Sequence, residues 1–231
     1  MDKYEVLKQY FGYDAFRDGQ EKMIDAITSG RDVLGIMPTG AGKSLCYQIP
    51  ALMAGENGGI TLVISPLISL MKDQVSALNQ AGVHAAYLNS SLTSGQYYKA
   101  LGYAREGRYP IIYVAPERLL TPEFLDFAVH AKIAMVAVDE AHCVSQWGQD
   151  FRPGYLKIEE FLCTLPKRPV VSAFTATATA EVRDDIIDLL KLQDPVVTTT
   201  GFDRPNLYFE VQSPKDKYAA VKTYIEEHAG Q

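Results

Sequence analysis

One segment of the sequence has the residue types that bind a phosphate chain. Met37-Pro38-Thr39-Gly40-Ala41-Gly42-Lys43-Ser44 fits the pattern G-x-x-x-x-G-K-[ST], except that Met37 replaces the first glycine. Gly40 and Gly42 let backbone N–H groups converge on phosphates, and Lys43 would reach the β- and γ-phosphates. Ser44 would offer its hydroxyl to Mg²⁺. Taken alone, the same segment also fits a glycine-rich turn with a solvated lysine.

Two adjacent carboxylates follow an apolar segment later in the chain. Ile133–Val138 has the pattern of a buried strand, and Asp139-Glu140-Ala141-His142 comes directly after it. Where the strand ends, Asp139 can face a metal ion while Glu140 reaches a water molecule. Paired acids at a helix start are often only a cap. Combined with the phosphate loop, however, they indicate a nucleotide site.

The elements that must position these residues are short β-branched segments alternating with helix-sized ones. Segments apolar on both faces predict a mainly parallel sheet with helices on both sides, an α/β fold. In such sheets ligands bind at the carboxyl ends of the strands, where the loop and the paired acids lie. The predicted strands are Asp32–Met37, Ile60–Ser65, His84–Asn89, Tyr109–Val114, Ile133–Val138, Val170–Phe174 and Val196–Thr200.

Some predicted helices have local start or packing signals. Thr121-Pro122-Glu123 and Ser213-Pro214-Lys215 each place a hydroxyl N-cap before a proline in the first turn. The segment after Thr179 predicts a helix with one buried face, formed by Val182, Ile186, Leu189 and Leu190.

Composition and charge limit the protein class. Hydrophobic residues make up 47% of the 231 residues and charged residues 22%, which is typical of globular proteins and argues against disorder. The formal net charge of −6 counts against a broad basic surface for nucleic acid. A few Lys, Arg and N–H groups lining one groove can still hold a strand on an otherwise acidic protein.

Cysteines and apolar segments give further expectations. Cys46, Cys143 and Cys163 are scattered and form neither a CxxC pair nor a disulfide framework, so we expect no metal held by thiolates. No apolar segment is long enough to cross a bilayer, and the N-terminus has no signal-like apolar region. The expectation is a cytoplasmic protein without a membrane partner, nucleoid-associated if bacterial and nuclear if eukaryotic.

Five further segments, together with the phosphate loop and the paired acids, resemble one known family. They are Phe16–Gln20, Ser65–Gln74, His142–Pro153, Ala173–Ala178 and Phe202–Asn206. The family is the RecQ family of DNA helicases, within superfamily 2, and the resemblance runs from about Phe11 to Asn206. It implies a RecA-like P-loop domain over residues 1–205, the first of two such motor domains, with ATP in the cleft between them. Residues 206–231 would be a linker and the start of a truncated second RecA-like domain.

The resemblance implies which residues contact the nucleotide. Gln20, with Arg17 and Tyr13 beside it, would contact adenine, since an amide offers both a donor and an acceptor to adenine N6 and N7. The other implied nucleotide-binding positions are Thr39, Gly40, Ala41, Gly42, Lys43, Ser44 and His142.

By the same resemblance, Glu140 would position or activate the attacking water, and Lys43 would take part in catalysis at the phosphates. Asp139 would hold Mg²⁺ through its ligands, together with Ser44. His142 would couple the site to Thr175 or Thr177. As isolated residues, these would more often be polar groups satisfied in a core.

A path for single-stranded DNA is implied as well. Ser145–Pro153 resembles the aromatic-rich loop by which these helicases link single-stranded DNA to ATP hydrolysis. Its Trp147, Phe151 and Arg152 would stack on bases or pair with phosphate, although a lone Trp is commonly a core anchor. Residues after strand ends would hold phosphates without reading sequence, namely Ser65, Pro66, Lys72, Asn89 and Arg118.

Three functions stay open at this point. The first is the motor half of an ATP-dependent DNA helicase, a monomer that binds ATP, Mg²⁺ and single-stranded or tailed duplex DNA. The second is an RNA-acting relative with the same ATP site, and the third is a nucleotide-binding module without useful turnover. Because the family's arginine finger comes from the second RecA-like domain of the full-length chain, we expect the 231-residue chain alone to hydrolyse ATP very slowly and not to unwind duplex DNA.

Overall fold

The computed structural model describes residues 1–148, 150–201 and 210–228. The chain divides into two compact units, Met1–Gly201 and Phe202–Gln231. Within the described part of the second unit lies helix α9, Lys217–Glu227, which begins after the N-cap Asp216. The motif Phe202–Asn206 and most of the strand-like segment Leu207–Val211 lie outside the described residues, as does Gln149 of the aromatic-rich loop.

Among the described residues, seven strands form one parallel sheet in the order β3-β4-β2-β5-β6-β1-β7. The strands are β1 Val33–Ile36, β2 Ile60–Ile64, β3 Ala85–Leu88, β4 Ile111–Val114, β5 Ile133–Val138, β6 Val170–Thr175 and β7 Val196–Thr199. The predicted α/β fold and each predicted strand are confirmed, with end positions that differ by at most two residues. The sheet is fully parallel where pairing is described, because each strand returns through a helical crossover.

Helices cover both faces of this sheet, as predicted. One buried cluster joins the sheet to α2–α4, and a second joins it to α5–α8. The helices of the first unit are α1 Lys3–Val6, continued by a π-helical turn Leu7–Phe11, α2 Gln20–Thr28, α3 Lys43–Gly55, α4 Ile68–Gln80, α5 Ser94–Arg105, α6 Pro122–His130, α7 Lys157–Thr164 and α8 Ala180–Leu189. Of the helices described here, none combines the length and apolar character that a membrane crossing requires.

The predicted buried face of α8 needs one correction. Val182, Ile186 and Leu190 are buried, whereas Leu189 is 38% exposed. Val182, Ile186 and Leu190 follow one another at four-residue intervals and share one line along the helix, whereas Leu189 lies to the side of that line.

Two predicted helix starts are also corrected. Helix α6 begins at Pro122 with Thr121 at the N-cap position, as expected, but the Thr121 hydroxyl makes no capping hydrogen bond; it donates instead to the carbonyl of Arg118, at 2.8 Å. The last helix begins at Lys217 rather than near Ser213. The carboxylate of Asp216 accepts from the Ala219 N–H at 3.0 Å, and this cap fixes the start.

The strand order brings the functional segments together. Strand β6 lies between β1 and β5, so the segment after β6 separates the phosphate loop from the paired acids. Strands β2, β4 and β3 lie on the other side of β5. The carboxyl edge of the sheet therefore carries the predicted nucleotide-binding residues at β1 and β5 and the predicted DNA-binding residues at β2, β3 and β4.

Candidate active site

Most of the predicted nucleotide-binding residues line one cavity of about 490 Å³ at the carboxyl edge of the sheet. The predicted residues in its wall are Tyr13, Arg17, Gln20, Thr39, Gly40, Gly42, Lys43, Ser44, Asp139 and Glu140. Two predicted contacts do not line it. Ala41 turns its carbonyl toward Gln20, and His142 lies behind Glu140.

The phosphate loop owes its shape to two glycines and to the start of α2. Gly40 and Gly42 both have φ of +83°, a left-handed conformation that glycine adopts without strain. The Arg17 guanidinium donates to the Gly40 carbonyl at 2.6 Å. The Gln20 amide donates to the carbonyls of Ala41 and Gly42, at 3.2 and 3.1 Å. Because N–H and C=O of a trans peptide point in opposite directions, the N–H groups of Gly42 and Lys43 are turned away from α2.

Gln20 is therefore a structural partner of the loop in this conformation. Its side-chain oxygen accepts from the Arg17 N–H at 2.8 Å, and both amide hydrogens are used by the loop carbonyls. The residue is only 1% exposed. Adenine recognition by its amide stays a prediction. For the amide to donate to adenine, one of its hydrogen bonds to the loop carbonyls must break.

Met37 departs from the phosphate-loop pattern without disturbing it. Its side chain is fully buried and lies beside Cys46, with 3.8 Å between the two sulfur atoms. Its backbone carbonyl accepts from Lys43 Nζ at 3.2 Å. Met37 has no positive φ, so nothing in its conformation requires the glycine of the pattern.

The two acids after β5 point into the same cavity because the backbone turns sharply between them. Glu140 has φ of +48°, a left-handed conformation that costs a non-glycine residue about 1–2 kcal/mol. Its N–H donates to Asp139 Oδ1 at 3.0 Å. Such local strain at a cleft is typical of a functional position.

Asp139 is nearly fully buried, and its electrostatic surroundings are unusual for a carboxylate. Burial raises the pKa of Asp139 to about 6, and the neighbouring Glu140 carboxylate acts in the same direction. The Glu140 N–H and the Lys43 ammonium act against the rise in pKa. A buried acid with one negative neighbour, Glu140, and one cation, Lys43, is an electrostatic setting that a bound divalent cation would relieve.

These donors fit Mg²⁺. The cation prefers oxygen ligands, and Ser44 and Asp139 contribute a hydroxyl and a carboxylate to the wall of one cavity. Among the described residues there is no cluster of three or more His, Cys, Asp or Glu that would hold a metal without the nucleotide. A site with these two protein ligands fits a cation whose remaining ligands are phosphate oxygens and water.

His142 joins the paired acids to the segment after β6. Its Nδ1 lies 2.9 Å from Thr175 Oγ1 and 3.5 Å from Glu140 Oε2. The Thr175 hydroxyl donates its single proton to the Thr177 carbonyl at 2.9 Å. Thr175 Oγ1 must therefore accept from His142, which places a proton on Nδ1. The predicted coupling residues thus form one continuous hydrogen-bonded chain.

The predicted strand-binding residues on the other side of β5 include buried polar atoms without protein partners. Ser65 Oγ and Arg118 Nε are both buried and make no hydrogen bond within the described part of the chain. Arg118 donates to the Asn89 carbonyl at 3.4 Å and lies over the Tyr97 ring, 4.9 Å from its centroid. An unpaired buried donor is costly, so both atoms are available to a water molecule or another polar partner. Lys72 is exposed on α4.

The aromatic-rich loop presents Trp147 to solvent, since its side chain is 80% exposed. Arg152 donates to Asp150 Oδ2 at 2.8 and 3.0 Å and to the Pro66 carbonyl at 3.0 Å. Phe151, which lies between Asp150 and Arg152 in the sequence, is half-buried. The core-anchor alternative for Trp147 is therefore wrong, and Arg152 connects the loop to the segment after β2.

Sequence reasoning missed several residues of this site. Phe11, Gln48 and Leu70 line the cavity. Gln48 follows Ser44 by one helical turn on α3, a spacing that would have identified it. The buried Tyr155 donates its hydroxyl to the Asp139 carbonyl at 2.8 Å, a tertiary contact with no local sequence signal.

Comparisons with solved structures identify the fold. The crystal structure of the DUF1998 helicase MrfA bound to DNA matches 87% of this chain and 29% of that chain, with a TM-score of 0.70 and 17% identity. A hypothetical ATP-dependent RNA helicase from Sulfolobus tokodaii matches 85% of this chain and 56% of that one, with a TM-score of 0.63 and 24% identity. These similarities establish the RecA-like helicase fold alone.

Sequence comparisons identify the family. The chain is 49% identical over 222 residues to the ATP-dependent DNA helicase RecQ of Bacillus subtilis, covering 96% of this chain and 37% of that protein. It is 45% identical over 217 residues to the ATP-dependent DNA helicase RecQ of Haemophilus influenzae, covering 94% and 34%. The chain thus spans about a third of the length of these relatives, and the predicted resemblance to RecQ helicases is confirmed. Residues 17–186 match the profile of the DEAD/DEAH box helicases, and the chain belongs to that family.

Proposed function

We propose that this chain is the ATP-binding motor domain of an ATP-dependent DNA helicase. It binds ATP and Mg²⁺ in the cavity and single-stranded DNA along the neighbouring edge of the sheet. The observation that carries this proposal is the chain Glu140–His142–Thr175, which starts at the cavity wall and continues into the segment after β6. A site that only binds phosphate needs no contacts that lead from a cavity-lining acid to the end of a neighbouring strand.

Each residue at the cavity has a chemical task in this proposal. Lys43 exchanges its bond to the Met37 carbonyl for the β- and γ-phosphates, where a charge-assisted bond is stronger. Glu140 accepts a proton from the attacking water, and His142 orients that carboxylate. Ser44 and Asp139 hold Mg²⁺ through hydroxyl, carboxylate and water. The cation supplies charge neutralisation at the phosphate oxygens.

On the DNA side, the proposed contacts are of two kinds. Ser65, Asn89 and Arg118 lie at the ends of neighbouring strands and would hold phosphates, which carry no sequence information. Trp147 would stack on a base, a contact that tolerates any sequence. Few cations are needed for such a groove, which is consistent with a net charge of −6.

The activity of the whole protein also belongs to this proposal. Relatives that are 45–49% identical carry the name ATP-dependent DNA helicase, and this chain spans about a third of their length. We propose that residues 1–205 form the first RecA-like domain and that residues 206–231 link it to a second. That second domain would close the cleft and supply an arginine finger, which typically contributes roughly 10³–10⁵-fold to hydrolysis. The longer protein would act as a monomer on tailed duplex DNA in the cytoplasm or at the chromosome.

The test measures binding first and turnover second. Calorimetry with Mg²⁺ and a non-hydrolysable ATP analogue, and anisotropy with labelled single-stranded DNA and RNA of equal length, are applied to this chain. Binding of the nucleotide and of DNA is expected. ATPase activity and strand separation on tailed DNA and RNA duplexes are then compared between this chain and the full-length protein.

DNA-stimulated turnover and DNA unwinding are expected only of the full-length protein. Stimulation by RNA and not by DNA would identify an RNA helicase, and tight ATP binding without turnover in the full-length protein would identify a binding module. Robust unwinding by the 231-residue chain itself would contradict the proposed need for a second domain.

A further inference from the structure

We infer that Asp185 on α8, acting through Ser145, is a positioning residue that fixes the aromatic-rich loop to the segment coupled to the nucleotide site. This inference rests on the proposed function. It concerns a contact between α8 and the loop that is separate from the chain Glu140–His142–Thr175. Asp185 lies ten residues beyond Thr175 in the sequence, does not line the cavity and is not among the residues proposed to contact DNA.

The hydrogen bonds of Ser145 define this contact. Ser145 is fully buried, and its hydroxyl donates to Asp185 Oδ2 at 2.6 Å. The same hydroxyl oxygen accepts from the Trp147 N–H at 3.1 Å. The backbone of Trp147 is therefore two hydrogen bonds away from α8. A bond to an ionised acceptor is short and about twice as strong as a neutral one, which suits a fixed anchor.

The backbone hydrogen bonds near Trp147 do not reach α8: the Gly148 N–H donates to the Ser145 carbonyl at 3.1 Å, and the Arg152 N–H donates to the Cys143 carbonyl at 2.9 Å. The Trp147 ring is 80% exposed, so its packing does not fix the backbone. Gly148 does approach the chain closely, because a Cβ there would lie 2.3 Å from the His142 carbonyl oxygen. The loop thus turns back onto the 3-10 helix Ala141–Val144, and that helix packs against α8. The Ser145–Asp185 hydrogen bond adds a direct polar contact between the loop and α8.

Helix α8 is itself tied to the nucleotide site. The segment from Thr175 to Thr179 runs from the end of β6 to the start of α8, where Thr179 accepts from the Val182 N–H at 3.3 Å. Its first residue, Thr175, binds His142, and the helix it leads into binds Ser145. A displacement of this segment on nucleotide binding would therefore act at two points, on His142 within the 3-10 helix and on Ser145 directly after it. Two attachments transmit a rotation of the loop, whereas one leaves it free to pivot.

The experiment uses Trp147, which is the only tryptophan in the sequence and so reports on the loop without a label. The nucleotide-induced change in its fluorescence and the DNA dissociation constant with and without Mg²⁺ and an ATP analogue are measured. The ratio of the two DNA constants is the linkage between the sites, typically 5–150-fold for coupled sites. Asp185→Ala is expected to bring this ratio close to one and to reduce the fluorescence change by more than half. Its affinity for nucleotide alone should stay within about twofold, because Asp185 does not line the cavity.

Two further variants separate positioning from folding and from charge. Asp185→Asn keeps a carbonyl oxygen that accepts from Ser145, so it is expected to retain the wild-type linkage. Asp188→Ala removes an exposed carboxylate from the same helix and should change neither readout. If Asp185→Ala does not fold, as judged by circular dichroism, Ser145→Ala removes the same bond from the other side and takes its place.

The outcomes distinguish this inference from the function on which it rests. Wild-type linkage in Asp185→Ala, or an equal loss in Asp188→Ala, would overturn the positioning role while leaving the proposed function intact. If the wild-type chain binds neither nucleotide nor DNA, the proposed function fails and the inference fails with it. Loss of linkage in Asp185→Ala, together with wild-type linkage in Asp185→Asn, supports the positioning role of Asp185.

Discussion

Replacing Asp139 by asparagine is expected to stabilise the free protein while removing the carboxylate proposed to hold Mg²⁺. The folded protein keeps a proton on this buried carboxyl up to a pH of about 6, whereas the unfolded chain releases it near 3.8. The folded state therefore binds more protons between these two values, and the free energy of unfolding falls as the pH rises from about 4 to about 6. Above pH 6 the protein holds a buried charge that destabilises it.

The magnitude follows from the size of the pKa shift. A change from 3.8 to about 6 is roughly two units, and one unit corresponds to about 1.4 kcal/mol. The buried charge thus costs about 3 kcal/mol at pH 7.5. Asparagine has the same shape and its oxygen can still accept from the Glu140 N–H, but burying the amide offsets part of the gain. The net stabilisation by Asp139→Asn is about 2 kcal/mol, which raises the Tm by roughly 4–8 °C for a chain of this size.

Urea denaturation at pH 4.5, 6.0 and 7.5, without nucleotide, measures this effect. The difference between variant and wild type is expected to be near zero at pH 4.5 and to grow to its full value at pH 7.5. Asp188→Asn removes an exposed carboxylate and should stay within about 0.5 kcal/mol of wild type throughout. A variant that is no more stable than wild type at pH 7.5 would refute the electrostatic argument for Asp139.

Four further substitutions test the remaining assignments at the cavity. Lys43→Ala should lower the affinity for ATP by at least tenfold in calorimetry, because the cation at the β- and γ-phosphates is lost; unchanged affinity would refute the phosphate-loop assignment. In the full-length protein Glu140→Gln should keep ATP and Mg²⁺ binding but lose turnover, since an amide cannot accept the proton, and wild-type turnover would remove Glu140 from that role. Gln20→Ala and Arg17→Ala should weaken ATP binding more than GTP binding, whereas an equal loss for both nucleotides would assign these residues to loop shape alone.

The fold could be predicted from the sequence because its signals are local. Segments such as Ile133–Val138 are apolar on both faces, and a fully buried parallel strand requires that pattern. Errors arose where two local signals compete. Thr121 and Ser213 both have a hydroxyl before proline, yet Thr121 bonds backward to Arg118 and Asp216 provides the stronger cap three residues after Ser213.

Within the candidate site, the sequence predicted which residues meet but not how they are bonded. The strand order that places Thr175 between the loop and the acids depends on long-range pairing, which no local pattern encodes. The use of Gln20 by the loop carbonyls, the support of Asp139 by Tyr155 and the anchoring of Ser145 by Asp185 are tertiary contacts of the same kind. Residue types and spacing fix the available chemistry, and the fold decides which partner each group takes.

In the proposed function, the position of β6 between β1 and β5 would let a single threonine, Thr175, act as a coupling element. Thr175 is fully buried, and its hydroxyl has one proton and two lone pairs, all used by His142 and by the backbone of Thr177. A group without spare capacity cannot accept a new partner unless it releases an old one. When Glu140 shifts toward a bound water and His142 follows, the Thr175 hydroxyl must either move with the ring or leave a buried donor unpaired, at a cost of about 1–3 kcal/mol. We therefore expect the backbone of Thr177 to respond to the occupancy of the cavity, and Thr177 lies on the same segment that leads into α8, whose Asp185 binds Ser145 of the aromatic-rich loop.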